Sequence, residues 1–593
     1  MCGIAGELRW DQTKPDQAIM EKMLDRLARR GPDDQGQWFS GPVALGHRRL
    51  SIIDLSDKAH QPMQDSSQTL TLVFNGTIYN YRELRQTLQD LGHRFRSESD
   101  TEVILHAWRA WGDQCVVHLQ GMFAFALWDK RQQLLFLARD RLGIKPLYYS
   151  RQSDCLRFAS TPQALLSAGG VDTSINPVGL HHQLTLHGVI PAPHTILNGV
   201  CKLAPATTLS ISPNRHTVSQ TYWQLSAVRP TSFRYMSEWM EGLEAHLMAA
   251  VKKRVQAADV PVGVLLSGGL DSSLLVGLLA KSGVSDFSTF SIGFEDTAEE
   301  SGNEFAYSDQ VVEKFSTRHR KYLIPNSQVL SRLPEAVSCM SEPMVGQDAV
   351  AFYLLAEQVS KDVKVVLSGQ GADEVFGGYF WYPQMAGAVG DNLTRFAPWY
   401  FDRNHQEYLR TVNPDFHGMD HTSATVEDWL SRPNADSFMD QVLRMDVNML
   451  IVDDPVKRVD NMTMSWGLEA RVPFLDSQLV EYAAQMPPAL KLNEGGKYPL
   501  KILSRGLLPD SVIDRPKGYF PMPALKYVRG GFLEWMRDIL LSPAAQNRGL
   551  FQSAYVNTLL SAPDRHFTPL RGSKLWHLAL LELWLQKNVD VVP

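Results

Sequence analysis

The stretch from Val260 to Ser273 constrains the chain more than any other. Val260 to Leu266 is a β-branched, apolar run that predicts a buried strand. Ser267, Gly268 and Gly269 then predict a tight loop, and Ser272 to Lys281 a helix. A strand, a glycine turn and a helix start together aim free backbone N–H groups at an anion. Gly268 and Gly269 let the backbone approach that anion with no Cβ in the way. No Gly-Lys-Ser/Thr follows, so this is not the common nucleotide P-loop. Asp271 stands instead, and a carboxylate beside phosphates calls for Mg2+ between them. A glycine-rich turn in any α/β protein would look similar, so the rest of the chain has to decide.

A second loop of this kind follows Lys364 to Leu367, with Ser368, Gly369, Gln370, Gly371, Ala372, Asp373 and Glu374 in succession. Strands are expected at 286–294 and 321–324 and a helix at 308–315. That alternation predicts a parallel sheet with helices on both faces. Two glycine loops at adjacent strand ends would face the crevice where open α/β sheets bind ligands. Asp271 and Asp373 would then share Mg2+. The plainer alternative for Asp373 and Glu374 is a pair complementing a helix dipole.

The N-terminal part is different in kind. Cys2 follows a methionine whose removal would leave a terminal thiol beside its own base, an α-amine with a reference pKa of about 7.7–8.0. Arg49 precedes an apolar run expected to be a strand. Leu70 to Phe74 alternates as a strand and runs into Asn75 and Gly76, and Ser99 and Asp100 open a helix expected over 102–111. Gly121 to Trp128 and Leu134 to Asp140 predict paired strands, with 141–149 continuing them. Trp239 to Val255 predicts an amphipathic helix and 570–587 a C-terminal one. Arg458 to Asp476 sets charges among apolar residues, where burial requires partners.

Loop 267–273 matches the pyrophosphate (PP) loop of ATP pyrophosphatases, and the set from Cys2 to about Ser160 resembles the glutaminase domain of class II (N-terminal nucleophile, Ntn) glutamine amidotransferases. Together the chain resembles glutamine-dependent asparagine synthetases. The implied architecture is an αββα Ntn domain over residues 1–205, a connection over 206–237, and a parallel-sheet α/β ATP-pyrophosphatase domain over 238–593. The implied chemistry begins with Cys2 attacking the glutamine amide. Asn75 and Gly76 form the oxyanion hole, Arg49 holds the α-carboxylate and Asp100 the α-amine. ATP and Mg2+ would be the co-substrate and metal. Leu265, Ser267, Gly268, Gly269, Ser272, Ser273, Ile292, Ser368 and Gly369 would hold ATP, Asp271 and Asp373 the metal, and Lys517 would stabilise the charged intermediate. A carboxylate acceptor is adenylated and then amidated, with AMP and pyrophosphate released.

Two departures bear on that resemblance. Thr77 stands where many members carry glutamate, and Gln370 where asparagine synthetases usually carry glutamate. Gln370, the bulky segment 518–523 and residues 171–193 resemble the N-acetylglutaminylglutamine amidotransferases more closely, which favours an acetylated dipeptide over aspartate as acceptor. The rivals are a glutaminase or binding module with an inactive second half, and an amination without ATP cleavage.

At 593 residues, two or more domains are expected. A net charge of −6 without charged blocks argues against nucleic acid as the main partner. No apolar run approaches the ~18–20 residues of a membrane span. Five scattered cysteines and no signal peptide point to a cytoplasmic protein with reduced thiols. The oligomeric state stays open, a homodimer included.

Overall fold

The computed structural model describes residues 2–232, 234–296, 301–516 and 522–590. The first half is built from two six-stranded sheets laid face to face. One runs in the order Cys201–Lys202, Tyr148–Arg151, Cys155–Ala159, Gly3–Arg9, Val43–Arg49, Asp34–Ser40. The other runs Thr217–Thr221, Thr207–Ile211, Leu134–Arg139, Gly121–Asp129, Leu70–Ile78, Met63–Gln64. The two-residue period of a strand explains the layering. Val73, Ala124, Ala126, Trp128, Leu135 and Leu137 pack with Ile4, Leu8, Val43 and Leu45 between the sheets. Their neighbours Leu72, Phe74, Phe123, Phe125 and Phe136 join the core under the helices instead. Helices Gln17–Leu27 and Asp100–Trp111 cover the outer faces, completing the expected αββα arrangement.

Three expectations change here. Residues 141–149 do not continue the Leu134–Arg139 strand. The Asp140 carboxylate accepts N–H groups from Phe123, Leu142, Ile144 and Lys145 at 2.9–3.1 Å, and Gly143 sits at φ +62°, so the chain turns away. Tyr148–Arg151 then joins the other sheet. Arg49 ends a strand rather than preceding one, because Val43–Arg49 is the segment that finds partners on both sides. Residues 206–237 are not all connection: Thr207–Ile211 pairs with Leu134–Arg139 and with Thr217–Thr221. The latter is an edge strand with little burial, which is why it shows no alternation in the sequence.

The second half carries a five-stranded, all-parallel sheet in the order Arg318–Ile324, Ser288–Phe294, Val262–Leu265, Val365–Leu367, Glu469–Arg471. The chain winds outward one way from Val262–Leu265, then returns to its other side. The switch point therefore falls between Val262–Leu265 and Val365–Leu367, the two strands that feed the glycine loops. The terminal helix, Lys574–Asn588, is buried on nearly all sides and starts late because Ser573 caps it through Trp576 N–H.

The charges of 458–476 are buried and paired, and several partners come from the first half. Asp460 meets Arg30 at 3.0 Å and Lys145 at 2.9 Å. Glu469 meets Arg471 at 2.5 Å, and the Thr77 hydroxyl donates to Glu469 at 3.2 Å. Each charge is compensated where water cannot reach it, so the ion pairs fix how the halves dock.

Candidate active sites

Cys2 lies just before the strand Gly3–Arg9 and is 7% exposed. Its backbone N–H donates to Asn75 Oδ1 at 3.1 Å. That bond orients the Asn75 amide, so Nδ2 points the other way; it is fully buried and has no hydrogen-bond partner among the described residues. A buried donor left open is costly unless something arrives to accept from it. Gly76 follows on the same strand, where a Cβ would meet Met122 O at 2.2 Å, so no side chain fits. Burial pushes the Cys2 thiol up from its ordinary pKa, with Arg49 among the groups opposing the shift.

A small cavity of about 30 Å³ is lined by Cys2, Arg49, Gly76, Thr77, Asp100 and Glu469, among others. Arg49 is held by the Ser56 and Asp54 carbonyls. Burial raises Asp100 to about 6, although Ile78 N–H donates to it at 3.0 Å and lowers it. Arg49 and Asp100 thus both line the thiol cavity, with Glu469 as a second acid.

Glu469 was not foreseen there. It reaches this cavity from the edge strand of the other half, which is hydrogen-bonded to the strand feeding the second glycine loop. Burial pushes its carboxyl up, but Arg471 and nearby positive charge prevail and hold it at about 2.

The second cavity measures about 670 Å³ and opens at the two glycine loops, with Ser267, Gly269, Leu270, Asp271, Gln370 and Asp373 in its wall. Gly268 has φ +79°, and a Cβ there would meet Ser308 N at 2.7 Å. The helix Leu270–Lys281 starts without a side-chain cap, and Gly269, Leu270 and Asp271 at that start line the cavity, where a helix N-terminus suits an anion. Ser267 Oγ and Ser272 Oγ lie 3.1 Å apart and fix the loop. Gly369 presses on the first loop: its Cβ would lie 3.1 Å from Asp271 Cβ. Leu265 ends its strand and Ile292 lies within the adjacent one, and they are 7% and 8% exposed, while Ser273 and Ser368 are buried behind the loops. Lys517 lies outside the described residues, as do 518–521.

Asp271 and Asp373 do come together, on a residue the sequence reading passed over. Lys497 Nζ is 2.6 Å from Asp271 and 2.7 Å from Asp373. Burial disfavours its charge, but the two carboxylates more than offset that and raise its pKa. Two carboxylates facing one position are the donor set a hard divalent cation takes, so the residues fit Mg2+. Beyond the loops the cavity is lined by Tyr379, Trp381, Tyr400, Leu450 and Leu570. Its floor includes Asp446, Leu450, Asp454 and Pro455, from π-helical turns at Asp446–Leu450 and Val452–Val456. Pro455 has no N–H for a regular α-helical bond.

Residues 242–586 match the family model described as Asparagine synthase. The chain belongs to the asparagine synthase family. Residues 1–223 match the Glutamine amidotransferase domain, and together the two make this member of the family a ligase that takes its amide nitrogen from glutamine. Asparagine synthetase [glutamine-hydrolyzing] 3 of Bacillus subtilis is 30% identical, with 100% of both chains covered. Asparagine synthetase [glutamine-hydrolyzing] 1 of the same organism is 29% identical, covering 100% of this chain and 97% of its own. Amidase chry2 of Gibberella zeae is 28% identical, covering 81% of this chain and 80% of its own. At this distance the relatives that match carry different names. No helix among the described residues is long and apolar enough to cross a membrane, and all five cysteines are free thiols.

Proposed function

We propose that the chain hydrolyses glutamine at Cys2 and uses the ammonia to amidate a carboxylate adenylated at the paired glycine loops. The observation that carries this reading is the pairing of two sites in one chain: a thiol beside an open buried amide donor, and a helix start without a side-chain cap beside two converging carboxylates. Cys2 Sγ attacks the glutamine Cδ carbonyl, and the α-amine exposed by methionine removal takes the thiol proton. Asn75 Nδ2 and Gly76 N–H receive the developing oxyanion. Arg49 and Asp100 hold the two charged ends of the amino acid.

At the second site, the Ser267–Ser273 loop and the Leu270–Lys281 helix start bind the ATP phosphates. Leu265, Ile292, Ser368 and Gly369 shape the nucleotide side. Asp271 and Asp373 would hold Mg2+, which when bound supplies charge neutralisation on the departing pyrophosphate. Lys517 is proposed to stabilise the charged intermediate.

For the acceptor we favour N-acetylglutaminylglutamine over aspartate. Support comes from Gln370, a neutral amide in the cavity wall, and from the aromatic and aliphatic lining around Tyr379, Trp381, Tyr400 and Leu570. An acetylated dipeptide offers one carboxylate and several neutral amides and suits such a lining. Aspartate is the second reading, favoured by the names of the Bacillus relatives. Pyrophosphate release with Mg-ATP and glutamine separates them. Release with the dipeptide alone, its amide seen by mass spectrometry, supports the first; release with aspartate alone replaces it.

A further inference from the structure

A cluster away from both sites has the makings of a metal centre. His181 lies on the helix Pro177–Thr185 of the first half, His405 opens the helix His405–Thr411, and Asp420 caps the helix His421–Ser431. His181 Nε2 stands 3.0 Å from His405 Nδ1 and 3.8 Å from Asp420 Oδ1. One donor atom from each of the three lies within 4.8 Å of the others. Tetrahedral Zn2+, with bonds of about 2.0–2.1 Å, sets its ligand atoms about 3.3 Å apart. The observed separations straddle that value.

We propose that His181, His405 and Asp420 bind a divalent transition metal of the Zn2+ type, which staples the glutaminase half to two helices of the second half. The surroundings suit such an ion. A metal-bound imidazole usually has its other nitrogen engaged. Here His181 Nδ1 is 2.7 Å from Thr422 Oγ1, and the same hydroxyl is 3.0 Å from His182 Nδ1. Thr422 has a single hydrogen to donate. If it gives that hydrogen to His182, it accepts from His181 Nδ1–H, which leaves the His181 Nε2 lone pair facing the site.

Asp420 already accepts from Ser423 N–H at 3.0 Å through Oδ1, and each carboxylate oxygen has a second lone pair for a metal. His421 faces His181 edge-on at 5.9 Å and sets a further imidazole beside the site. The staple also lies close to the large cavity. Asp402 N–H donates to Thr185 O at 2.9 Å, and the Asp402 carboxylate holds His187, a residue of the cavity wall, at 3.1 Å.

The test is Zn2+ titration of the full-length, tag-free, chelator-treated protein. It is done in a Cys2→Ala background so that the terminal thiol contributes nothing. We expect one saturable Zn2+ per chain, a tetrahedral Co2+ spectrum, a Zn2+-dependent rise in Tm, and no response to Mg2+. His405→Ala and the milder His405→Gln should abolish the binding and the Tm rise while circular dichroism stays that of the parent. Thr422→Val should weaken binding by about 10-fold or more, as loss of an outer partner does. No saturable binding, or binding unchanged in His405→Gln, would overturn the proposal and leave a plain hydrogen-bonded histidine cluster.

Discussion

Gly268→Ala tests the nucleotide loop at its tightest point. The residue has φ +79°, a conformation that costs an L-residue about 1–2 kcal/mol. The new Cβ would also meet Ser308 N at 2.7 Å and Tyr307 Cβ at 2.9 Å, and the first of these is backbone that cannot swing aside. The loop must therefore move, carrying its N–H groups away from the phosphates. A loss of about 1.4–2.7 kcal/mol in binding would be a 10–100-fold fall in kcat/KM for ATP. Gly269→Ala is the control, because φ is −78° there and the nearest contact for a Cβ is Ser267 Oγ at 3.3 Å. Its loss should stay below about threefold, the few tenths of a kcal/mol of an unstrained substitution. Ammonia-dependent pyrophosphate release measures both variants, and glutaminase activity should be unchanged in each. Equal losses at the two positions, or a Gly268→Ala enzyme like wild type, would refute the argument from backbone conformation.

Asp100 is raised to about 6 by its burial, and only its ionised form can hold an ammonium. The KM for glutamine should therefore climb as pH falls below about 6 and level off above it, and Asp100→Asn should remove that inflection, raising KM above that pH to the level the wild type reaches at low pH. Lys497 is shared by Asp271 and Asp373, so Lys497→Met should leave two facing carboxylates without that shared cation. The expected result is a loss of about 3–5 kcal/mol in urea unfolding without metal, partly restored by millimolar Mg2+; no effect of Mg2+ would count against these two acids as its ligands.

What the sequence disclosed is what short-range chemistry writes down. The glycine loops, the run of Phe74, Asn75 and Gly76, and the Ser99 cap before Asp100 all announce themselves within a few residues, because turn geometry and capping are local. The same locality explains the errors. The turn after Arg139 depends on how many N–H groups converge on the Asp140 carboxylate, which no periodicity reveals. Thr217–Thr221 is a strand by partnership and not by pattern. Lys497 is set beside Asp271 and Asp373 by tertiary folding from a glycine-flanked stretch, and Glu469 enters the thiol cavity from the other half. Glu469 shows only a charge in an apolar neighbourhood, a signal that calls for a partner without naming it. The π-helical floor likewise has Pro455 as its local sign and packing as its cause.

The most direct measurement is the Cys2→Ala variant assayed side by side with glutamine and with ammonium chloride, following amide product and pyrophosphate. Two separate sites predict no product with glutamine and synthesis close to wild type with ammonia. Loss of both activities in a folded variant, or survival of glutamine use, would contradict it.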